Sequence, residues 1–243
     1  MSGIFILSKS PSIPYGWFLL LFFIYTIVTA LGSYFIQLNY FVASYCNGDR
    51  AKKQIAITFD DGPKAPATIT ILDILKEEIV PATFFCIGKN IAGNEPILQR
   101  IHHEGHLIGT HSFDHYWHFP LQPKQKIATE IQHCQDEIEK IINKKPMLFR
   151  PPFGVTDPPL AAAIRLTGVK SIGWSLRSYD TVISSPDKLM YRLSKIKNGD
   201  IVLFHEAGLQ TNVILPLFIK YVRKQGFEIV PLDQLLGINA YEN

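Results

Sequence analysis

The sequence predicts an α/β fold: a distorted TIM-like (β/α) barrel with about seven parallel strands, preceded by an N-terminal transmembrane helix. Three observations predict it. From Ala51 onward, apolar runs of strand length alternate with stretches of helical period. Gly105, Gly168 and Gly226 stand where helices should stop. Ahead of that region, nothing between Lys9 and Asp49 carries a charge.

Gly16 to Leu31 reads GWFLLLFFIYTIVTAL, and the apolar character continues through Tyr34, Phe35 and Ile36. A helix over Ile13–Ile36 rises about 36 Å, enough to cross a bilayer with some tilt. Trp17 and Tyr34 stand where interfacial anchors are found. A cleavable signal peptide is the competing reading. The weak basic stretch before the apolar run, and the lack of an A-x-A-like site after it, favour a retained anchor.

The expected strands are Gln54–Phe59, Ala82–Ile87, His106–Thr110, Met147–Arg150, Val169–Ser175, Asp200–His205 and Phe227–Pro231. The clearest helices lie between them, at Ile69–Glu78, Glu95–Glu104, Lys124–Asn143 and Val213–Gln225. In the third, Ile127, Ile131, Cys134, Ile138 and Ile141 recur at three- and four-residue spacing, as one buried face requires. Strand alternating with helix implies a mainly parallel sheet, whose active site gathers at the C-terminal strand ends.

Composition narrows the function classes. The 243 residues are 47% hydrophobic, which is globular. A net charge of +3 without a Lys/Arg-rich block argues against a nucleic-acid partner. Cys46, Cys86 and Cys134 lack CxxC spacing, which argues against a disulfide framework or a thiolate zinc site. Cys86, within an apolar run, is expected as a buried small hydrophobe.

The chemistry collects at the strand ends. Thr58-Phe59-Asp60-Asp61-Gly62-Pro63 sets two carboxylates side by side where the first strand stops. Like charges that close are costly unless a cation or a proton-transfer role uses both. His111 and His115 follow the third strand, Arg150 ends the fourth before Pro151-Pro152-Phe153-Gly154, Trp174, Ser175 and Asp180 follow the fifth, and His205 ends the sixth. Two histidines four apart, on a helical turn or a turn-like loop, can face one cation with one of the carboxylates. Such a site leaves positions open for water and substrate. The other carboxylate is then free as general base, His205 can protonate a leaving group, and a backbone N–H after the proline pair can meet an oxyanion. Taken singly, a histidine pair is most often surface and Asp-Asp-Gly-Pro most often a solvated turn. Together at successive strand ends they read as one constellation. His102, His103 and His133 are expected to be exposed on helices, and His118 to line the groove at most.

These residues resemble the polysaccharide deacetylases with a NodB-like domain, carbohydrate esterase family four, over roughly Lys53–Leu236. Five motifs occur in family order. The resemblance makes Asp60 the base and Asp61, His111 and His115 the ligands of a divalent metal, zinc by default, with cobalt or another divalent ion as alternatives. Arg150-Pro151-Pro152-Phe153 looks like the third motif, with Arg150 orienting the base and the Phe153 N–H meeting the oxyanion. Leu203-Phe204-His205 resembles the last, with Leu203 lining the acetyl pocket and His205 as acid. Pro152 and Trp174 fall on the substrate side. The fourth motif departs: Arg177 stands for an acid and Thr181 for an aromatic, while Asp180 is kept as a carboxylate partner for Arg150.

The resemblance therefore implies a metal-dependent hydrolase that removes acetyl groups from a polysaccharide or amino sugar. The expected substrate is an N-acetylglucosamine-containing glycan such as peptidoglycan or a chitin oligomer. The alternatives are a deacetylase or deformylase of a lipid-linked sugar, and an inactive membrane-anchored glycan-binding protein. Residues 1–50 are expected to form the anchor (helix about 13–36) and a linker, and residues 51–243 the catalytic domain. Arg50, Lys52 and Lys53 outnumber Lys9, which by the positive-inside rule points the domain to the cytoplasm. The glycan substrate points it outward, and an extracytoplasmic single-pass placement is expected.

Overall fold

The computed structural model describes residues 15–242. The predicted helix start at Ile13 and the flanking Lys9 lie outside them. Helix α1 (Tyr15–Tyr34) is long and apolar enough to cross a membrane, and nearly all of it is exposed. Its last turn touches the rest of the chain. Gly32 is buried where a side chain would collide with the Tyr40 ring, and Ser33 O accepts from the Thr156 N–H at 3.0 Å.

Downstream, strands and helices alternate as the pattern predicts: β1 (Gln54–Gly62), α2 (Ala67–Glu78), β2 (Thr83–Cys86), α3 (Glu95–His103), β3 (Leu107–Thr110), α4 (Lys124–Ile142) and β4 (Leu148–Phe149). Then come α5 (Pro158–Thr167), β5 (Lys170–Ser171), β6 (Leu176–Arg177), α6 (Pro186–Leu193), β7 (Ile201–His205), α7 (Thr211–Lys224), β8 (Glu228–Ile229) and α8 (Leu232–Leu236). Seven strands run in the order β5-β4-β3-β2-β1-β7-β6, and β8 pairs with the start of β1. Every named pairing is parallel. The outer strands β5 and β6 do not pair with each other, so the curled sheet is a half-barrel.

That opening corrects one expected element. Val169–Ser175 is not one strand: only Lys170–Ser171 (β5) is extended in the sheet, and Ile172–Ser175 lead out of it to β6. Gly173 passes so close to Cys46 that a Cβ would lie 2.5 Å from its Sγ. The Ile172 and Gly173 carbonyls turn to accept from Arg150. The gap is covered by the segment after α1, where Tyr45 bridges Ile172 and Ile36, Val42 and Cys46 are buried.

Alternation along β1 sorts the core. Ile55, Ile57 and Phe59 face the helices with Phe84 and Phe204, whose rings stack on Phe59 at 5.2 and 5.8 Å. Ala56 faces the barrel interior with Phe85, Leu148, Ile172 and Leu203. On α4, Ile127, Ile131, Cys134 and Ile138 are fully buried as the spacing requires, while Ile142 is buried more deeply than Ile141. All three cysteines are buried and free. His103 and His133 are exposed, but His102 is only half exposed, edge-on to Tyr241.

Candidate active site

The site lies at the C-terminal ends of β1, β3 and β7, beyond β4 and around the β6 edge, in a cleft of about 220 Å³. Its centre depends on a break in strand alternation. Successive side chains on a strand point to opposite faces, so Asp60 and Asp61 should diverge. They do not, because β1 bulges there: Asp60 pairs with Phe85 and Gly62 with Cys86, which leaves Asp61 as the extra residue at φ 76°. The bulge brings Asp61 to the cleft beside Asp60. A Cβ at Gly62 would run into the Glu206 carboxyl, which would have to move.

Asp61 Oδ1 lies 3.7 Å from His111 Nε2 and 3.6 Å from His115 Nε2. Among the described residues these three form the group able to hold a metal, with ligand atoms all within 4.8 Å of one another. His111 Nδ1 is 2.7 Å from the Arg150 carbonyl, to which it donates, and this leaves the Nε2 lone pair turned to Asp61. Burial, with His111 alongside, pushes the His115 pKa down to about 4, so its ring is neutral. One carboxylate oxygen and two imidazole nitrogens fit a divalent cation with coordination positions to spare.

The two histidines sit on a loop rather than a helix, with Ser112 and His115 both at left-handed φ. Glu130 of α4, buried at 8% exposure, holds this loop. Its Oε2 accepts from the Phe113 and Asp114 N–H groups at 3.1 and 2.9 Å. Sequence reasoning missed Glu130. Its signal was an acid one position before Ile131, on the buried face of an amphipathic helix.

Asp60 is tied differently. Its Oδ1 accepts from Arg150 Nη1 at 2.8 Å, and its Oδ2 is 3.8 Å from His111 Nε2. Arg150 is wholly buried and also donates to Thr58 Oγ1, Ile172 O and Gly173 O, with Phe85 beneath its guanidinium at 4.1 Å. Thr58 spends its own proton on Val202 O, so it accepts from Arg150. Every partner of the buried cation is thereby defined.

On the far side, register sets His205 opposite Asp60 on neighbouring strands. Asp180 corrects an expectation: its partner is His205, not Arg150. Asp180 Oδ1 lies 2.9 Å from His205 Nδ1, and its Oδ2 accepts from the His205 N–H and from Thr211, both at 2.7 Å. Burial opposes charge on His205, but the Asp180 hydrogen bond and the Asp60, Asp180 and Asp61 charges outweigh it and raise its pKa. Asp180 is likewise buried, yet the bond to His205 holds its pKa below the usual carboxylate value.

Phe153, Trp174, Arg177, Thr181 and Leu203 complete the cleft wall, with Phe153 at φ 61°. Pro152 does not join them. It is buried, and Pro151 faces the cleft instead. His118 also lies off the cleft, stacked on Tyr116 at 5.3 Å.

Comparison with known proteins defines the class that this fold and cleft belong to. The sequence profile described as polysaccharide deacetylase matches residues 47–172, and the chain belongs to that family. The peptidoglycan-N-acetylglucosamine deacetylase PgdA of Listeria monocytogenes is 32% identical over 189 residues, 77% of this chain but 40% of that protein. The chain thus spans about two fifths of that relative's length. The crystal structure of the Bc1960 peptidoglycan N-acetylglucosamine deacetylase superposes with a TM-score of 0.76 at 27% identity, covering 82% of this chain and 95% of that one. A family-four pseudoenzyme from Bacillus anthracis superposes with a TM-score of 0.74 at 27% identity, covering 79% of this chain and 68% of that one.

Proposed function

We propose that residues 51–243 form a metal-dependent deacetylase that removes N-acetyl groups from an N-acetylglucosamine-containing glycan, with peptidoglycan as the first substrate to test. The observation that carries this reading is the β1 bulge. It sets Asp61 against two imidazole nitrogens while Asp60 stays tied to Arg150 and faces His205 across the sheet.

Asp61, His111 and His115 hold the divalent cation, with zinc the default for a donor set of two nitrogens and one oxygen. When bound, it supplies Lewis-acid activation of water and of the acetyl carbonyl. Asp60, oriented by Arg150, accepts the proton of the attacking water. The Phe153 N–H meets the developing oxyanion. His205, whose hold on its proton Asp180 strengthens, donates that proton to the departing amine. Leu203 and Trp174 wall the acetyl group and the sugar.

Residues 1–50 serve as a single-pass anchor and its connection, with the domain outside the membrane. The length and exposure of α1 support this, as does the docking of its last turn onto the domain.

The test is acetate release from peptidoglycan and chitin oligomers by enzyme loaded with defined metals, alongside metal analysis of the variants. Asp61→Asn should lose the metal. Asp60→Asn should keep it and lose turnover by about 10²- to 10⁴-fold, the usual worth of a positioned base. If Asp61→Ala combined with His111→Ala still releases acetate at the wild-type rate, the metal assignment is wrong. A full-strength metal site with no turnover on any acetylated glycan would place this chain with the pseudoenzymes.

A further inference from the structure

A second cavity, about 340 Å³, adjoins the catalytic cleft and shares Phe153, Trp174 and Arg177 with it. It occupies the open side of the half-barrel, between β6 and the end of α1, where Tyr34 and Phe35 form its far wall. Two arginines line it, Arg177 from β6 and Arg192 from α6, and no carboxylate does.

These two cations differ from the arginines that form ion pairs. Arg50, Arg100, Arg150 and Arg223 each pair with a carboxylate. Among the described residues Arg177 and Arg192 pair with none, and Arg177 Nε is buried without a hydrogen-bond partner. Both are nonetheless held in place. Arg192 Nε donates to the Arg177 carbonyl at 2.5 Å, and the two guanidinium groups lie over the same Tyr179 ring at 4.2 and 5.0 Å. Arg177 also packs over Trp174 at 5.8 Å. Two ordered, unneutralised guanidinium groups facing one cavity make an anion site lacking only its anion. One planar fork satisfies a carboxylate; two match the charge and the oxygen count of a phosphoryl group.

We propose that Arg177 and Arg192 form a subsite for a phosphoryl group carried by the acetylated sugar substrate, next to the acetyl-binding cleft. The proposal rests on the deacetylase reading above and adds a phosphoryl group to the acetylated sugar it acts on. The phosphoryl group could be that of a soluble sugar phosphate or of a lipid-linked glycan. The wall contributed by the end of α1 makes the second worth a separate arm of the test.

The experiment uses the full chain in detergent and follows acetate release from an N-acetylglucosamine oligomer, the same oligomer as its 1-phosphate, and a lipid-linked phosphate ester in neutral lipid vesicles. The readout is the ratio of kcat/KM for the phosphorylated over the neutral substrate. A ratio of about ten or more is expected, one charge-assisted bidentate contact being worth at least that. Arg177→Gln and Arg192→Gln should each collapse the ratio towards one, and Arg192→Lys should recover part of it. A wild-type ratio near one, or a ratio untouched by both Gln variants, overturns the proposal. A further rise for the lipid-linked ester assigns the α1 wall to lipid; equal ratios assign the subsite to the soluble sugar phosphate. Calorimetric titration with N-acetylglucosamine 1-phosphate against N-acetylglucosamine keeps the two readings separable. If no substrate is turned over, the deacetylase reading fails. The subsite then stands if the phosphate ester binds about tenfold tighter than the neutral sugar and this preference is lost in Arg192→Gln, and falls if the two bind alike.

Discussion

The two walls of the cleft are built on different principles. On one side, Asp60, Asp61, His111 and His115 project from the long central strand β1 and from the loop after β3, and almost every polar atom there has a defined partner. On the other, the stretch from Trp174 to Thr181 carries the two-residue strand β6, ends in exposed Tyr179 and Thr181, and leaves Arg177 Nε unmet. Only Asp180, buried against His205, ties this wall into the chemistry. The reacting groups stand on rigid strands where geometry must not drift, and the recognition groups stand at a sheet edge where partners can change.

Breaking the rigid wall should cost most. Arg150→Met removes the guanidinium bonded to Asp60 Oδ1 and leaves that buried carboxylate without its hydrogen-bonded partner. Stability should fall by about 3–5 kcal/mol, the usual result of halving a buried pair, and turnover should vanish with the base's orientation. Chemical denaturation together with acetate release checks this; a variant as stable as wild type would mean that Asp60 is solvated. Next in size is Asp180→Asn. His205 then loses the charge that holds its pKa up, burial prevails, and the pKa falls. The alkaline limb of the kcat/KM profile should therefore move to lower pH, with turnover reduced about a hundredfold by the looser ring. The sign for stability follows the same pair. Its contribution through His205 is full below that residue's unfolded pKa and lost as pH rises through the elevated folded value. Its contribution through Asp180 is full above the unfolded carboxylate value and lost as pH falls through the depressed one. An alkaline limb unmoved in Asp180→Asn would refute the pairing as the source of the acid.

Glu130→Ala tests the rigid wall from behind. It strips two loop N–H groups of their acceptor. Metal affinity should fall about ten- to a hundredfold, as loss of an outer-shell support usually costs. The fold should survive, since unsatisfied amides near a surface loop cost only about 1–3 kcal/mol each. Metal titration of the folded variant is the measurement, and unchanged affinity would show that the His111–His115 loop needs no such support.

What was readable in the sequence follows the same division. β1, β3, β7 and helix α4 announced themselves because each obeys a single period over enough residues, and the metal trio stood at their ends. The Asp60–Asp61 pair was legible as a pair. The bulge that makes both usable was not, because alternation carries no sign of where it fails until a partner strand fixes the register. The stretch 169–175 read as one strand because Val169, Ile172 and Trp174 lie between turn signals; its early end at Ser171 comes from Gly173 closing on Cys46 and from Arg150 recruiting two carbonyls, both contacts distant in sequence. Asp180 was found and given the wrong partner for the same reason. Motif order says that a carboxylate is present but not which of two buried cationic side chains it meets.

Glu206 sharpens the comparison at its smallest effect on turnover. It lies directly behind the rigid wall, 1% exposed, bonded to Thr68 and with Oε1 unpartnered. Burial, aided by the Asp61 and Asp60 charges, raises its pKa to about 8 from an ordinary 4.5. Thr68 Oγ1 already accepts from the Lys64 N–H and can donate to the Lys64 carbonyl, so it can accept from a protonated Glu206. Between the two pKa values the unfolded chain releases a proton that the folded chain keeps. Stability contributed at this position therefore falls as pH rises through that window, by at most about 1.4 kcal/mol per pH unit. Glu206→Gln keeps the shape and the donor to Thr68 but has nothing to ionise. In metal-free protein, its denaturation midpoint should match wild type near pH 5 and pull ahead of it steadily towards pH 8. A gap that does not widen with pH would mean that Glu206 is ionised in the fold.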